Sequence, residues 1–168
     1  TARTYGHLEI AGSNTKTSAG NFSIEGDFTN NGTFAHGNDT HTFNGTIDQN
    51  IDGSTSTTFY RVTMNKSSGN LLLGINTIVN NRLTLTASVL DLNGFDLRLN
   101  RNAIASLVRT AGNILSERTD MTSTCTRRVN SLGGGHLFSF QTADGAYIPF
   151  TYDRNTENNG YITFATYP

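Results

Sequence analysis

Asp91-Leu92-Asn93-Gly94-Phe95-Asp96 gathers two carboxylates and an amide in one short stretch, the oxygen chemistry a hard cation such as calcium needs. A calcium loop also requires ligands at alternating positions and a closing Glu, whereas Leu92, Phe95 and Leu97 put bulky apolar groups into this turn. The stretch reads as a strand–turn–strand corner. His36, Asp39 and His41 are close in sequence, with His7 and His136 elsewhere; zinc needs three or four converging ligands, and an Asn/Gly-rich loop offers mainly solvent contacts. Asp48 and Asp52 form a close carboxylate pair, the residue type that cleaves glycosides when two face each other across a cleft. Four positions apart in a short-stranded chain, they straddle a turn instead. Tyr5 and Tyr60 suit packing at a coil edge more than a sugar platform, and no Trp is present to provide one. Cys125 is alone, so it forms neither an intrachain disulfide nor a thiolate metal site. No catalytic, cofactor-binding or metal-ligating residue is assigned, and no cofactor is expected.

Arginine is the other chemically distinctive group. Arg98, Arg101, Arg109, Arg118, Arg127 and Arg128 give residues 98–128 six basic groups against two acidic ones, while residues 1–97 carry five against eight. Such a cluster can grip an acidic polysaccharide or a nucleic acid, but here it lacks interleaved aromatics and a phosphate loop. It reads as a solvated basic face at a junction between modules. The net charge is −1, which provides no long-range field to steer nucleic acid or an anionic membrane. Apolar runs reach only three residues, as in Leu71-Leu72-Leu73, so no membrane span is expected.

The elements that must carry these groups are β-strands. Thr, Asn, Gly and Ser number 26, 20, 17 and 13 of 168 residues, and all four are weak helix formers. Ten Phe and six Tyr are too many large apolar groups for a disordered linker. Leu8-Glu9-Ile10, Phe22-Ser23-Ile24, Val62-Thr63-Met64, Leu83-Thr84-Leu85 and Leu97-Arg98-Leu99 alternate with period two, the signature of a half-buried strand. Turn residues recur between them at Gly12, Gly20, Gly26, Asn44-Gly45, Gly53, Gly69 and Asn93-Gly94. Ala103–Val108 fits a short helical turn or a strand equally.

An internal repeat runs through this pattern. Leu8 and Ile10 match Val62 and Met64, and Asn30-Asn31 matches Asn80-Asn81. Units of about 50 residues holding several short strands imply two or three coils each of a parallel β-solenoid, predicted over residues 1–112. Thr-x-Thr pairs do not fall at one coil period, so no flat threonine array is expected. Residues 113–168 are predicted to form a β-rich cap or the start of a following β module. Their strands are Leu137–Gln141, Tyr147–Tyr152 and Tyr161–Thr166, with turns at Asp144-Gly145 and Asn158-Asn159-Gly160 and a joint at Gly133-Gly134-Gly135. The cap is expected to cover one exposed end of the solenoid. A first residue other than Met and a strand reaching to Pro168 suggest a processed form or an excised fragment.

Phe28-Thr29-Asn30-Asn31-Gly32-Thr33-Phe34, His41-Thr42-Phe43-Asn44-Gly45 and Leu90-Asp91-Leu92-Asn93-Gly94-Phe95-Asp96-Leu97-Arg98-Leu99 resemble repeats in large cell-surface proteins of Bacteroidota. Residues 4–112 carry most of that resemblance. The stretch Phe138-Ser139-Phe140 to Ala146-Tyr147-Ile148-Pro149-Phe150-Thr151 is similar to the module that often follows them, with Ser139-Phe140-Gln141-Thr142 where that module has Phe-Pro-Val-Gly. The resemblance implies an extracellular, type IX exported, adhesin-like or stalk module at the bacterial cell surface, without catalysis. It implies surface glycans, host or substratum polymers, other modules of a longer parent chain or the secretion machinery as partners, and no nucleic acid. The alternatives are a carbohydrate-binding or polysaccharide-degrading β-helix module, or a passive fragment of a secretion-system cargo.

Overall fold

A three-residue strand such as Phe22-Ser23-Ile24 satisfies few of its own backbone groups and buries only one face, so it needs a strand on each side and a wall behind. Stacked coils provide both. In the computed structural model, residues 3–13, 15–120, 122–129, 134–153 and 160–168 are described. Asn158 and Asn159 of the expected turn and Gly133 of the expected joint lie outside these residues.

The first coil holds β1 (Arg3–Tyr5), β2 (Leu8–Ile10) and β3 (Thr15–Thr17), and the second holds β4 (Phe22–Ile24), β5 (Phe28–Asn30) and β6 (Thr33–Ala35). Next come β7 (Thr40–Phe43), β8 (Gln49–Gly53), β9 (Thr57–Asn65), β10 (Leu71–Leu73), β11 (Thr77–Ala87), β12 (Val89–Asp91) and β13 (Leu97–Leu99). A 3-10 turn at Ile104–Ser106 leads into β14 (Leu107–Arg109), so the ambiguous stretch 103–108 is partly helical turn and partly strand. β15 (Asn113–Leu115), β16 (Cys125–Arg128), β17 (Gly135–Gln141), β18 (Tyr147–Asp153) and β19 (Tyr161–Phe164) complete the order.

Pairing between coils is parallel, and the stack is a β-solenoid of about five turns. The eight-stranded sheet runs β18-β17-β15-β12-β10-β8-β5-β2, and the nine-stranded sheet runs β1-β4-β7-β9-β11-β13-β16-β19 with β14 on β11. The long strands β9 and β11 bend. Thr57–Phe59 pairs with Thr77–Val79, which pairs onward with β13, while Val62–Met64 pairs with β7 on one side and Leu83–Leu85 on the other. Thus one sheet wraps a corner of the prism at Tyr60–Arg61 and Asn80–Arg82.

Arg3 pairs with Phe22, Phe22 with His41, His41 with Val62, Val62 with Leu83 and Leu83 with Leu107. The coils these steps mark out are unequal, and the step from Leu83 to Leu107 is the longest. Leu8 and Val62, equivalent in the sequence repeat, occupy different sheets: Leu8 pairs with Phe28, and Val62 with His41 and Leu83. The unit displayed by the pairing is a single coil of about 20 residues. Inward alternate residues fill the prism, with Ile24, Phe28, Phe43, Phe59, Met64, Leu71, Leu73, Leu85 and Leu99 fully buried. Where coils approach closely, glycine is required. Gly53 has φ +130, and a Cβ there would overlap the Asn30 backbone.

Parallel pairing continues on both sides of Gly112, through β15, β16 and β17. Only then does the chain reverse. β18 returns antiparallel along β17 through a turn with Gly145 at φ +91, and β19 lies antiparallel on β16 in the other sheet. Phe138, Phe150 and Phe164 meet between them, with ring centroids 4.7 Å (Phe138–Phe164) and 4.4 Å (Phe150–Phe164) apart. A chain ended at Gly112 leaves β12, β13 and β14 as open edges beside a cut core, and is expected to self-associate. Sedimentation velocity checks this: a soluble monomer would show that residues 113–168 do not protect that end.

Candidate functional site

At the wrapped corner, outward side chains from successive coils touch in series. His36 stacks on Tyr60 with centroids 5.9 Å apart, and the Arg61 guanidinium lies 4.6 Å from the same ring centre. His36 Nε2 is 3.2 Å from Asn80 Nδ2, and Asn100 Nδ2 donates to Asn80 Oδ1 at 2.8 Å. The Tyr161 hydroxyl donates to Asn100 Oδ1 at 3.3 Å, and Arg98 covers the Tyr161 ring at 4.2 Å. Arg61 and Arg82 stand directly opposite each other in the β9–β11 ladder, and Arg101 Nη1 donates to Asn81 Oδ1 at 3.2 Å. The bend in β9 and β11 creates this ridge, because the residues between two inward side chains there, Tyr60–Arg61 in β9 and Asn80–Arg82 in β11, face outward together. Amides, guanidinium groups and aromatic rings can hold hydroxyls, planar rings and anions.

A second outward column lies beside it. Thr4, Ser23, Thr42, Thr63 and Thr84 are paired in sequence through β1, β4, β7, β9 and β11. The changing coil length hides this hydroxyl column from any search at one fixed period. It also hides Arg61 and Arg82, which fall outside the arginine-rich stretch of the sequence but share the ridge.

That stretch is dispersed by the fold. Arg118 Nη2 donates to Asp91 Oδ2 at 3.0 Å and Asn93 Oδ1 at 2.6 Å, so a tethered cation occupies two oxygens of the calcium-like stretch. Asp91 also accepts the Asn93 N–H at 2.8 Å, fixing a corner in which Asn93 and Gly94 have φ +50 and +89. Arg127 is fully buried in the core column of Phe59, Val79 and Leu99. Its guanidinium donates to the carbonyls of Leu137, Ala103 and Ile104 and to Ser106 Oγ. Desolvation pulls its pKa down to about 10. Arg109 bonds the Gly112 carbonyl and Asn113 and covers Tyr147. Arg98 and Arg101 reach the ridge.

The other candidates separate. His7 is exposed beside Asp27, His36 joins the ridge, His41 is buried, and His136 is buried within β17. Asp39 accepts the Gly20 N–H at 3.1 Å. Asp48 accepts from Asn70 N–H and Asp52 from Gly53 N–H, each at 2.7 Å. Tyr5 packs edge-on against Phe22, whereas Tyr60 lies on the ridge. Among the described residues no three His, Cys, Asp or Glu side chains converge to hold a metal ion, and no helix is long and apolar enough to cross a membrane. Burial pushes the Cys125 thiol up to about 12, which leaves it unreactive in the folded chain. A groove of about 370 Å³ near the chain reversal is lined by Asp91, Glu117, Arg118 and Asp120. Asp91 is already paired with Arg118, and Glu117 accepts the Ala143 N–H.

Two buried polar side chains hold neighbouring coils together. Lys66, 2% exposed, donates to the carbonyls of Gly45 (2.7 Å) and Ile47 (2.8 Å) and to Gln49 Oε1 (2.8 Å). Gln49 in turn reaches the carbonyls of Ile24 and Gly26. His41 sits among Phe22, Phe34 and Phe59 with Nε2 3.3 Å from Ser18 Oγ, and desolvation drives its pKa from 6.5 to about 4 against the opposing pull of Asp39.

No protein-family model, curated protein or solved structure matches this chain.

Lys66→Met strands three acceptors and is expected to cost about 2–4 kcal/mol in urea unfolding; an unchanged midpoint would refute its stitching role. His41 is neutral in the fold at pH values where the unfolded chain protonates it. Its contribution is therefore intact above about pH 6.5 and lost as pH falls toward 4. Between pH 7 and 4.5 this accounts for about 2–3 kcal/mol. His41→Leu should flatten that part of the pH–stability curve, measured by urea titrations at both pH values.

Proposed function

We propose that the chain is a non-enzymatic extracellular module of a bacterial cell-surface protein, serving attachment or acting as a rigid stalk. The observation that carries this reading is the continuous outward ridge from His36 and Tyr60 to Asn100 and Tyr161, mounted on a stack whose interior is close-packed. Side chains fixed to a stiff scaffold lose little conformational freedom when they meet a polymer, and repeated weak contacts along one axis add through effective concentration. Surface glycans or substratum polymers are the proposed partners, with other modules of a longer parent chain at the solenoid ends. The Asn/Gly-turn phrases that resemble Bacteroidota surface repeats support export by a type IX route.

The groove lined by Asp91, Glu117 and Asp120 favours one competing reading, a polysaccharide-cleaving β-helix. The two are separated by beads coated with the protein and passed over immobilised polysaccharides, with reducing ends assayed in the eluate. Retention without sugar release is expected. Steady release of reducing ends that Glu117→Gln abolishes would establish the enzyme reading instead.

A further inference from the structure

We infer that the corner ridge binds a linear acidic polysaccharide, a uronate-bearing chain lying along the coil axis; this rests on the attachment reading and names its ligand class. Arg61 and Arg82 face each other on adjacent rungs, about 4.8 Å apart by the usual strand spacing, and like charges so placed repel. Arg101 of the next coil stands beside this pair, bonded to Asn81 rather than opposite Arg82. Among the described residues the ion pairs are His7–Asp27 and Arg118–Asp91, so neither relieves the ridge. The Asp39 carboxylate turns away to the Gly20 N–H even though its carbonyl accepts the Arg61 N–H. A row of cations at rung spacing is neutralised by a row of anions at the same spacing, and a 1,4-linked pyranose chain advances by a similar length per sugar.

The guanidinium groups are held for that purpose. Arg61 Nη1 donates to the Asn38 carbonyl at 3.0 Å and Arg82 Nε to the Ala105 carbonyl at 3.3 Å. Each anchor uses one donor and fixes the plane, leaving further N–H groups free to meet a carboxylate. Tyr60 and Tyr161 carry guanidinium groups over their rings; the Tyr60 hydroxyl is suited to a sugar oxygen, and the Tyr161 hydroxyl, which donates to Asn100 Oδ1, can accept from a sugar hydroxyl. A nucleic acid duplex fits less well. It carries one charge per about 1.7 Å of axis, far denser than one arginine per rung, and the chain as a whole is at −1.

The test is isothermal titration of the full chain with polygalacturonate, with neutral dextran and duplex DNA as comparators. Binding of polygalacturonate is expected to weaken with salt and to fall about tenfold or more in Arg61→Gln/Arg82→Gln. Lys16→Gln, which removes one positive charge elsewhere, should leave it unchanged, and melting curves confirm folding. If the double variant does not fold, the exposed Arg98→Gln takes its place with a smaller loss expected. Equal loss in Lys16→Gln, no loss in either arginine variant, or tighter binding of DNA overturns the proposal. Binding of dextran alone overturns the ligand class while keeping attachment, and binding of no polymer, here or on the coated beads, overturns both.

Discussion

Everything in this molecule depends on backbone hydrogen bonding from each coil to the coil before and after it. Strands of three residues have no stability of their own. They persist because β4 lies between β1 and β7, and β10 between β8 and β12, in continuous parallel ladders. Parallel ladders keep like positions above like positions, so the two inward apolar residues of a short strand, such as Phe22 and Ile24 or Leu71 and Leu73, are enough to build a dry interior. The sparse hydrophobic content follows directly: outward positions remain free for Thr, Asn and Ser.

The same stacking explains where function can reside. Flat strand faces alternate in and out, whereas a bend such as Tyr60–Arg61 puts adjacent residues outside together and brings coil after coil to the same line. Bends also leave carbonyl oxygens facing inward without partners, and Lys66 and Arg127 supply donors to them. Positive charge is thus used in two ways. Inside, it is consumed by carbonyls; at the outer corner, Arg61 and Arg82 retain unfilled donors. Acidic groups collect on the other large sheet, with Glu9, Asp52 and Asp91 in β2, β8 and β12.

Period-two alternation made the strands legible, because Leu8–Ile10, Phe22–Ile24 and Leu97–Leu99 need only local pattern to be recognised. The parallel solenoid was readable from the internal repeat of about 50 residues and its antiparallel end from the Asp144-Gly145 turn, although the repeat aligned Leu8 with Val62, which the pairing puts in different sheets. The rung assignment was not. Coils of unequal length shift the phase of each column, so Thr42, Thr63 and Thr84 look unrelated along the chain. The arginine cluster misled for a related reason: proximity in sequence placed Arg118 and Arg127 with Arg98, while the fold ties the first two to oxygens and leaves the third outside. Lys66 left no sequence signal, since its cage is made largely of backbone carbonyls.

Unequal coils have a further consequence for Lys66, Arg118 and Arg127. In a uniform solenoid, sliding one coil past the next by two strand positions costs little, because inward residues still meet inward residues. Here each of these three cations finds its oxygens at one level only. They act as index pins, and a slipped or miscounted stack would leave an unmatched charge at three places at once. A repetitive architecture thereby acquires a single correct alignment.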